Sequence, residues 1–381
     1  MTLPSRVLFL VNDDQFFWSH RRPLAEAVRA TGAVTAVATT PGPASRQIGA
    51  AGFEFIPVRF RRGNMNPARE LATLVDVLRA YRRFRPQIAY HITFKPIVYG
   101  TLAARLTGVE AVVNAITGLG YVFTGTGARR AVLRPLAETG YRAALRWRRA
   151  WTLFQNPEDR QLFVSRRLAP VARSSVILGS GVDLQRFGAS PLPSGPARIL
   201  VACRMLWDKG IGDLVQAARV LRAQGLDFEL VLAGMPDHEN PASIPEETLT
   251  AWHEEGTVRW LGRSEDIAAE IGRSHIACLP SYREGLPLFL LEAAASARPL
   301  VATDVPGCRE VTRNGENGLL VPPRAPDRLA AALATLIADR ALCERMGVAG
   351  RRLAEEHFST GRVVEQTLAL LDSLRGSADA G

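Results

Sequence analysis

Residues 283–295, REGLPLFLLEAAA, hold two glutamates whose setting could do chemistry. Glu284 stands just before the Gly285-Leu286-Pro287 turn, and Glu292 follows after seven intervening residues, inside an apolar, alanine-rich run. The preceding HIACLP reads as a strand, so the segment runs strand, loop, helix. Pro287 suits the first helical turn, where a missing N–H costs nothing. Glu284 then lies in the loop. Glu292 lies about one and a half turns inside a helix that Leu288, Leu291 and the alanines bury. A buried carboxylate needs hydrogen-bond donors. A sugar diol offers two, and the free N–H groups at the helix start suit a phosphate. Glu284 could then hold hydroxyls of a sugar carried by that phosphate. The same spacing also fits a core helix with Glu292 bonded to backbone or arginine and Glu284 as a cap.

A second loop points to the same chemistry. In ACRMLWDKGIGDLV, Arg204 directly follows a strand and Lys209 precedes a helix, beside Gly210 and Gly212. Two cations at a strand–helix junction can clamp a diphosphate. This clamp and the GLPLF loop are expected to face each other at neighbouring strand ends. His91 ends the strand QIAYHI, where it would face the ligand crevice. His20, in FFWSHRRPL, reads as lying at a helix start, where it contacts a ligand or caps the helix. His238, His253, His275 and His357 receive no catalytic role. No histidine pair has metal-ligand spacing and no D-x-D occupies a strand end, so metal-independent chemistry is expected, with no metal site.

The elements that must position these residues are legible as a rhythm. Strands are expected at 6–11, 33–39, 53–58, 87–92 and 111–116, with helices over 21–32 and 67–84 and a further segment, KPIVYGTLAARLTG, between the last two strands. The rhythm restarts with a strand at 197–205, a helix at 210–225 and a strand at 228–234. VRWLG, HIACLP and PLVAT follow as three more strands. From 326 onward the pattern is helical. Strands alternating with helices argue for α/β architecture with parallel, doubly wound sheets. A Gly-, Pro- and Ser-rich stretch over 180–197 separates the halves. The expected organisation is a domain over 1–181, a second over 182–355, and a helical C-terminal tail over 356–381 that returns to the first. Ligands of such sheets sit beyond the carboxyl ends of the strands. That directs attention to the loops 12–20, 91–96 and 117–124 in the first half.

Bulk properties set limits. The 381 residues are 47% hydrophobic and 22% charged, which is globular composition. No apolar run reaches the ~18 residues of a membrane span, and the start turns acidic too soon for a signal peptide. Four scattered cysteines without C-x-x-C fit reduced thiols, and the expected location is cytoplasmic. A net charge of +10 suggests polyanionic partners: phosphorylated ligands, nucleic acid or an anionic membrane. Stacking aromatics on a basic sheet, or a recognition helix, are not evident, so nucleic acid is not the expected partner. The stretch 129–151, RRAVLRPLAETGYRAALRWRRAW, reads as helical, basic and amphipathic, and suits an anionic membrane surface. A helix pair packed on the first sheet with a solvated basic face fits it as well.

Arg204, Lys209, Glu284 and Glu292 together resemble the donor-site signature of the family 4 retaining glycosyltransferases. PLVATDVPGCREVTRNGENGLLVPP (299–323) and GSGVDLQRF (179–187) are similar to the same family. FFWSHRRPLAEAV, YHITFKPIVYG, NAITGLGYVF and FQNPEDRQLF resemble a bacterial subgroup acting on undecaprenyl-diphosphate-linked sugars. The resemblance covers nearly the whole chain. It implies the GT-B fold of two facing Rossmann-like domains, a UDP-sugar as co-substrate and no further cofactor. The implied acceptor is a polyprenyl-diphosphate-linked saccharide, reached at the inner face of the cytoplasmic membrane.

It also implies roles. Arg204 and Lys209 stabilise the departing diphosphate, Glu292 holds the ribose and Glu284 the sugar. Arg263 lies where the family contacts uracil, and Gly285, Leu286, Pro287 and Leu288 line the donor. His91 lies near the anomeric centre, and Asn12, His20, Thr117 and Gly118 lie on the acceptor side. One loop departs from the family: after LVLAG the chain reads GMPDHENPASIP, with one glycine where many relatives have Gly-x-Gly. The nucleotide-sugar 2-epimerases share the fold but lack the Arg204–Lys209 pairing with this glutamate pair.

Overall fold

The computed structural model describes residues 5–60, 66–118 and 128–376. The chain forms two compact units: Met1–Ser180 together with Gly361–Gly381, and Gly181–Thr360. Each is built on one parallel sheet. In the first unit the strands are β1 (Arg6–Val11), β2 (Val34–Thr39), β3 (Glu54–Pro57), β4 (Ile88–Ile92), β5 (Ala111–Ile116), β6 (Ala150–Phe154) and β7 (Ser174–Val176). Their spatial order is β3-β2-β1-β4-β5-β6-β7. In the second, β8 (Ala197–Ala202), β9 (Phe228–Ala233), β10 (Arg259–Trp260), β11 (Ile276–Leu279), β12 (Leu300–Thr303) and β13 (Gly318–Val321) are ordered β10-β9-β8-β11-β12-β13. Both orders reverse direction once, between β1 and β4 and between β8 and β11, and a crevice at the carboxyl ends opens at such a reversal.

The strands are parallel because helices cover both faces, which is why they read as unbroken apolar runs. Both faces of the first sheet are packed. Phe9, Tyr90, Val113 and Leu153 lie in one core with Val363 and Leu371 of the final helix, Thr360–Gly376. Leu8, Leu10, Ala89 and Val112 lie in the other, with Val77, Tyr81 and Phe84 of the helix Pro67–Phe84. That helix keeps the span its periodicity predicts. Asn66 caps it, accepting from the Ala68 and Arg69 N–H groups, Pro67 fills its first position, and Arg85 ends it in the left-handed region.

Four expectations change. The helix expected over 21–32 is Arg22–Ala30, but a further helix, Asp14–His20, precedes it, so His20 ends a helix rather than starting one. The stretch 129–151 is not one helix: Ala128–Leu145 is helical, a turn follows, and Ala150 begins β6. β6, β7 and β13 were not expected. The first is masked by its arginine-rich approach, the second spans three residues, and the third lies among turn residues. Pro287 occupies the cap position, and the helix is Leu288–Ala295. No described helix is long and apolar enough to cross a membrane. The motif NAITGLGYVF beyond Gly118 lies outside the described residues.

Candidate active site

The β8/β11 reversal brings two distant loops together. After β8, a short 3-10 turn, Trp207–Lys209, leads into the helix Ile211–Ala223; after β11, residues 280–287 lead into Leu288–Ala295. Lys209 Nζ lies 2.5 Å from Glu284 Oε1, which also accepts from Ser281 Oγ at 2.6 Å. Burial disfavours the Lys209 ammonium, but the Glu284 carboxylate outweighs it, and the net shift is upward. Gly210 makes the approach possible. It has φ +70°, and a Cβ there would lie 2.0 Å from the Pro280 carbonyl oxygen. Lys209 therefore meets the loop that leads into GLPLF at neighbouring strand ends, whereas Arg204 turns to a different loop.

Arg204 is half exposed, and its Nη1 lies 2.6 Å from Asp237 Oδ2. Sequence reading missed Asp237, which lies in the very loop that departs from the family. That loop is stitched to the segment after β8. Met205 N–H donates to Met235 O, Trp207 N–H to Ala242 O, and Ile244 N–H to Met205 O, at 3.0, 2.8 and 2.9 Å. Asp237 N–H donates to Ser243 Oγ at 3.0 Å. Its one glycine, Gly234, has φ +146°, and a Cβ there would stand 1.8 Å from Cys203 O. Asp237 is thus carried to Arg204 by a fixed backbone.

Glu292 is half-buried on its helix, between buried Leu291 and Ala293. It has no hydrogen-bond partner among the described residues. Burial pushes its carboxyl up to about 8, with Arg186 pulling weakly the other way. Burial therefore favours its protonated form. Gly285 and Pro287 are buried, Leu286 and Leu288 half-buried, and Arg263 is exposed in the loop after β10. Among the described residues no cluster of three or more His, Cys, Asp or Glu is placed to hold a metal ion.

In the first unit, His91 corrects the sequence reading. Period two along β4 puts it on the same face as Ala89, under the helices Pro67–Phe84 and Phe94–Thr107. It is fully buried. Nε2 lies 2.5 Å from Tyr81 Oη and Nδ1 2.8 Å from Asn114 Oδ1, which also accepts from Thr101 Oγ1 at 3.3 Å. The neutral tautomer with Nδ1–H donating to Asn114 and Nε2 accepting from Tyr81 satisfies both contacts. Burial lowers its pKa to about 4, with Asn114 opposing. His91 is a core residue without a free nitrogen to offer a substrate.

His20 stacks on Phe16, and its Nδ1 lies 2.7 Å from Ser19 Oγ. Burial first, and then the charge of Arg21, hold its pKa at about 4. Asn12 follows β1 and accepts from Thr93 Oγ1 at 3.1 Å, across the β1/β4 reversal. Thr117 and Gly118 follow β5 at the same sheet edge.

With this geometry in hand, the comparisons with known proteins are specific. Residues 196–339 match the family described as glycosyl transferases group 1, and residues 6–147 match the glycosyl transferase 4-like family. The chain belongs to the family 4 glycosyltransferases. A relative aligned along most of both chains is the N,N'-diacetylbacillosaminyl-diphospho-undecaprenol alpha-1,3-N-acetylgalactosaminyltransferase of Campylobacter jejuni. It is 23% identical over 350 residues, or 88% of this chain and 90% of that protein. The alpha-maltose-1-phosphate synthase of Mycolicibacterium smegmatis is 34% identical, over 53% of this chain and about half of its own length (51%). Among solved structures, sucrose-phosphate synthase from Thermosynechococcus elongatus superposes with TM-score 0.82 at 19% identity, covering 98% of this chain and 100% of that one. Anabaena HepE in complex with UDP and glucose superposes with TM-score 0.76 at 17% identity, covering 96% of this chain and 99% of its own. These are GT-B structures, and the family 4 chain described here has their fold.

His91→Ala should leave the Tyr81 hydroxyl unpaired in the core and Asn114 Oδ1 with Thr101 alone, and cost about 2–4 kcal/mol of stability. The pH dependence has a definite sign. The folded-state pKa lies below the unfolded one, so the contribution is intact above about 6.5 and is lost as pH falls toward 4, at about 1.4 kcal/mol per unit. Urea unfolding from pH 4.5 to 7.5 should show this slope in the wild type and a shallower one in the variant. Equal slopes would mean that His91 is not neutral in the fold.

Proposed function

We propose that this glycosyltransferase moves a hexosyl or N-acetylhexosaminyl group from a UDP-sugar to a polyprenyl-diphosphate-linked saccharide, with retention of configuration. The observation that carries the reading is the Lys209–Glu284 pair at the β8/β11 reversal, with Arg204 and the unpartnered Glu292 on the flanking elements. Lys209, Arg204 and the N–H groups at the start of Leu288–Ala295 neutralise the diphosphate, an electrostatic role that needs no divalent ion. Glu292 accepts from the ribose diol, and Glu284, held by Lys209 and Ser281, accepts from donor hydroxyls. Gly285 to Leu288 line the donor, with Arg263 near the base. The bond from the anomeric carbon to the β-phosphate oxygen breaks and the acceptor oxygen bonds to the same face. The acceptor proton passes to the departing diphosphate. The C. jejuni relative supports the lipid-linked acceptor, with Asn12, Thr117 and Gly118 on its side.

The acceptor would be met at the cytoplasmic face of the membrane. The helix Ala128–Leu145 buries Ala137, Tyr141, Ala144 and Leu145 and exposes Leu136 and Arg142; Leu102 and Leu106 of the packed neighbour Phe94–Thr107 are exposed as well. Arg149 is excluded from this surface role, because its Nη1 holds the carbonyls of Gly108 and Val109.

UDP should raise the melting temperature, as any ligand of the native state does. Arg204→Ala should shrink that shift with little change in the free protein's stability, since its ion pair is exposed. Arg204→Ala/Lys209→Ala should abolish the shift in protein still folded by circular dichroism. Transfer should survive EDTA. An unchanged UDP response in the double variant rules out the clamp, and activity restored only by magnesium or manganese rules out the metal-free reading.

Glu292 yields a calorimetric prediction. Diol donors favour the ionised carboxylate, so UDP binding at pH 7 should release up to about one proton. The binding enthalpy should depend on the buffer's ionisation enthalpy, and Glu292→Gln should remove that dependence. A buffer-independent wild type would detach Glu292 from the ribose.

For the membrane, Arg142→Glu/Arg148→Glu should weaken sedimentation with anionic liposomes at low salt while leaving UDP affinity unchanged. Wild-type liposome binding in that variant would place the membrane contact elsewhere.

A further inference from the structure

Two arginines are buried among the described residues, Arg298 and Arg21, and they differ in how far their donors are met. Arg298 is completely buried and its guanidinium donates to the carbonyls of Ile271, Ser190, Ser296, Pro191 and Gly272 and to Ser190 Oγ. Arg198 pairs with Glu229 and Glu270, at 2.9 and 2.5 Å. Arg21 is 3% exposed, yet its only side-chain partner among the described residues is Gln155. With its amide turned so that its NH2 donates to Thr117 O at 3.1 Å, Gln155 accepts from Arg21 Nη2 at 3.1 Å. Nε is buried without a partner, and no carboxylate lies within ion-pair distance among the described residues. A second buried donor, the Tyr90 hydroxyl, also has no partner, and Arg21 acts on it electrostatically. A charge removed from water without a counter-ion costs several kcal/mol.

Its position gives that cost a use. Arg21 joins the helices Asp14–His20 and Arg22–Ala30, and its own N–H bonds Phe17 O at 2.8 Å, which holds the junction. Thr117 follows β5 and Gln155 follows β6, so the guanidinium sits at the carboxyl edge of the first sheet. That edge is where ligands of parallel sheets bind. A guanidinium presents a planar fork of donors that matches phosphoryl oxygens.

We propose that Arg21, with Gln155 fixing its orientation, is the receiving group for a phosphoryl anion in the first unit, and that this anion is the diphosphate linking the acceptor saccharide to its lipid. The identity of the compound rests on the proposed reaction; the anion site does not. Arg21 would act on the substrate as a specificity-determining residue. It lets the enzyme distinguish a diphosphate-linked saccharide from a free one.

The test uses the full-length protein with UDP saturating, so that the donor clamp is filled. Inorganic pyrophosphate should add a further thermal shift in the wild type, larger than orthophosphate gives, and Arg21→Met should remove it. With a short-prenyl diphosphate-linked saccharide as acceptor, Arg21→Met should raise KM at least tenfold with kcat and the KM for UDP-sugar little changed. With the same saccharide as an alkyl glycoside, KM should stay within twofold. If Arg21→Met does not fold, Arg21→Lys decides, because it keeps the charge without the fork. It should raise KM several-fold for the diphosphate-linked acceptor only. Pyrophosphate binding that survives Arg21→Met, or equal losses on both acceptors, overturns the proposal and makes Arg21 a structural residue. If no lipid-linked saccharide is a substrate at all, the pyrophosphate measurement still decides the anion site, and only the acceptor reading falls.

Discussion

The second unit of this protein depends on one reversal of strand order. β8 and β11 are neighbours in the sheet but far apart in sequence, and both run parallel, so the loops that leave them emerge at the same edge. That places Lys209 against Glu284 in a partly buried pair. Such a pair is poor evidence for stability, since desolvating both charges offsets most of their attraction, but removing one partner alone is costly. Each residue is therefore held in place by the other before any ligand arrives. A cation held in this way is already desolvated and oriented, which is the preorganisation that the proposed electrostatic role requires.

Around that pair the neighbouring charged groups avoid uncompensated charge. Arg204 rests on Asp237, supplied by a loop zipped to the segment after β8. Glu292 takes the other course: without a protein partner, burial favours its protonated form. Both arrangements avoid an uncompensated charge, and under the proposed function both would be exchanged for contacts to a nucleotide sugar at modest cost, because the Arg204 pair is exposed.

The first sheet repeats the topology with different chemistry. At the β1/β4 reversal stand Asn12 and Thr93, neutral and bonded to each other. Beneath them Tyr81, His91 and Asn114 form a hydrogen-bonded polar seam in the core. Arg21 differs from Arg298, the other buried arginine among the described residues, in having a buried Nε without a partner. The two units share an architecture with structures at 15–20% identity, so the fold itself says little about what each edge binds; the side chains at the edges carry that information.

Much of this was legible in the sequence because it is local. A strand, a turn and an amphipathic helix each leave their signal within about ten residues, so the α/β rhythm, the helix Pro67–Phe84 and the strand-end placement of Arg204, Lys209 and Glu284 could be read directly. β6 could not, since its few apolar residues follow an arginine-rich helix whose charge pattern dominates the window. What tertiary structure decided was partnership. His91 stands at a strand end in sequence, but the strand's period of two and the helices laid over that face turned it into the core. Arg149 looked like surface charge and instead holds two carbonyls of a distant turn. Arg21 looked like one more arginine, yet it is buried with its Nε left unpartnered. A residue's type is written in the chain. Whether its charge is paired, buried or left open depends on groups far away along it, and only the folded packing brings those groups within hydrogen-bonding distance.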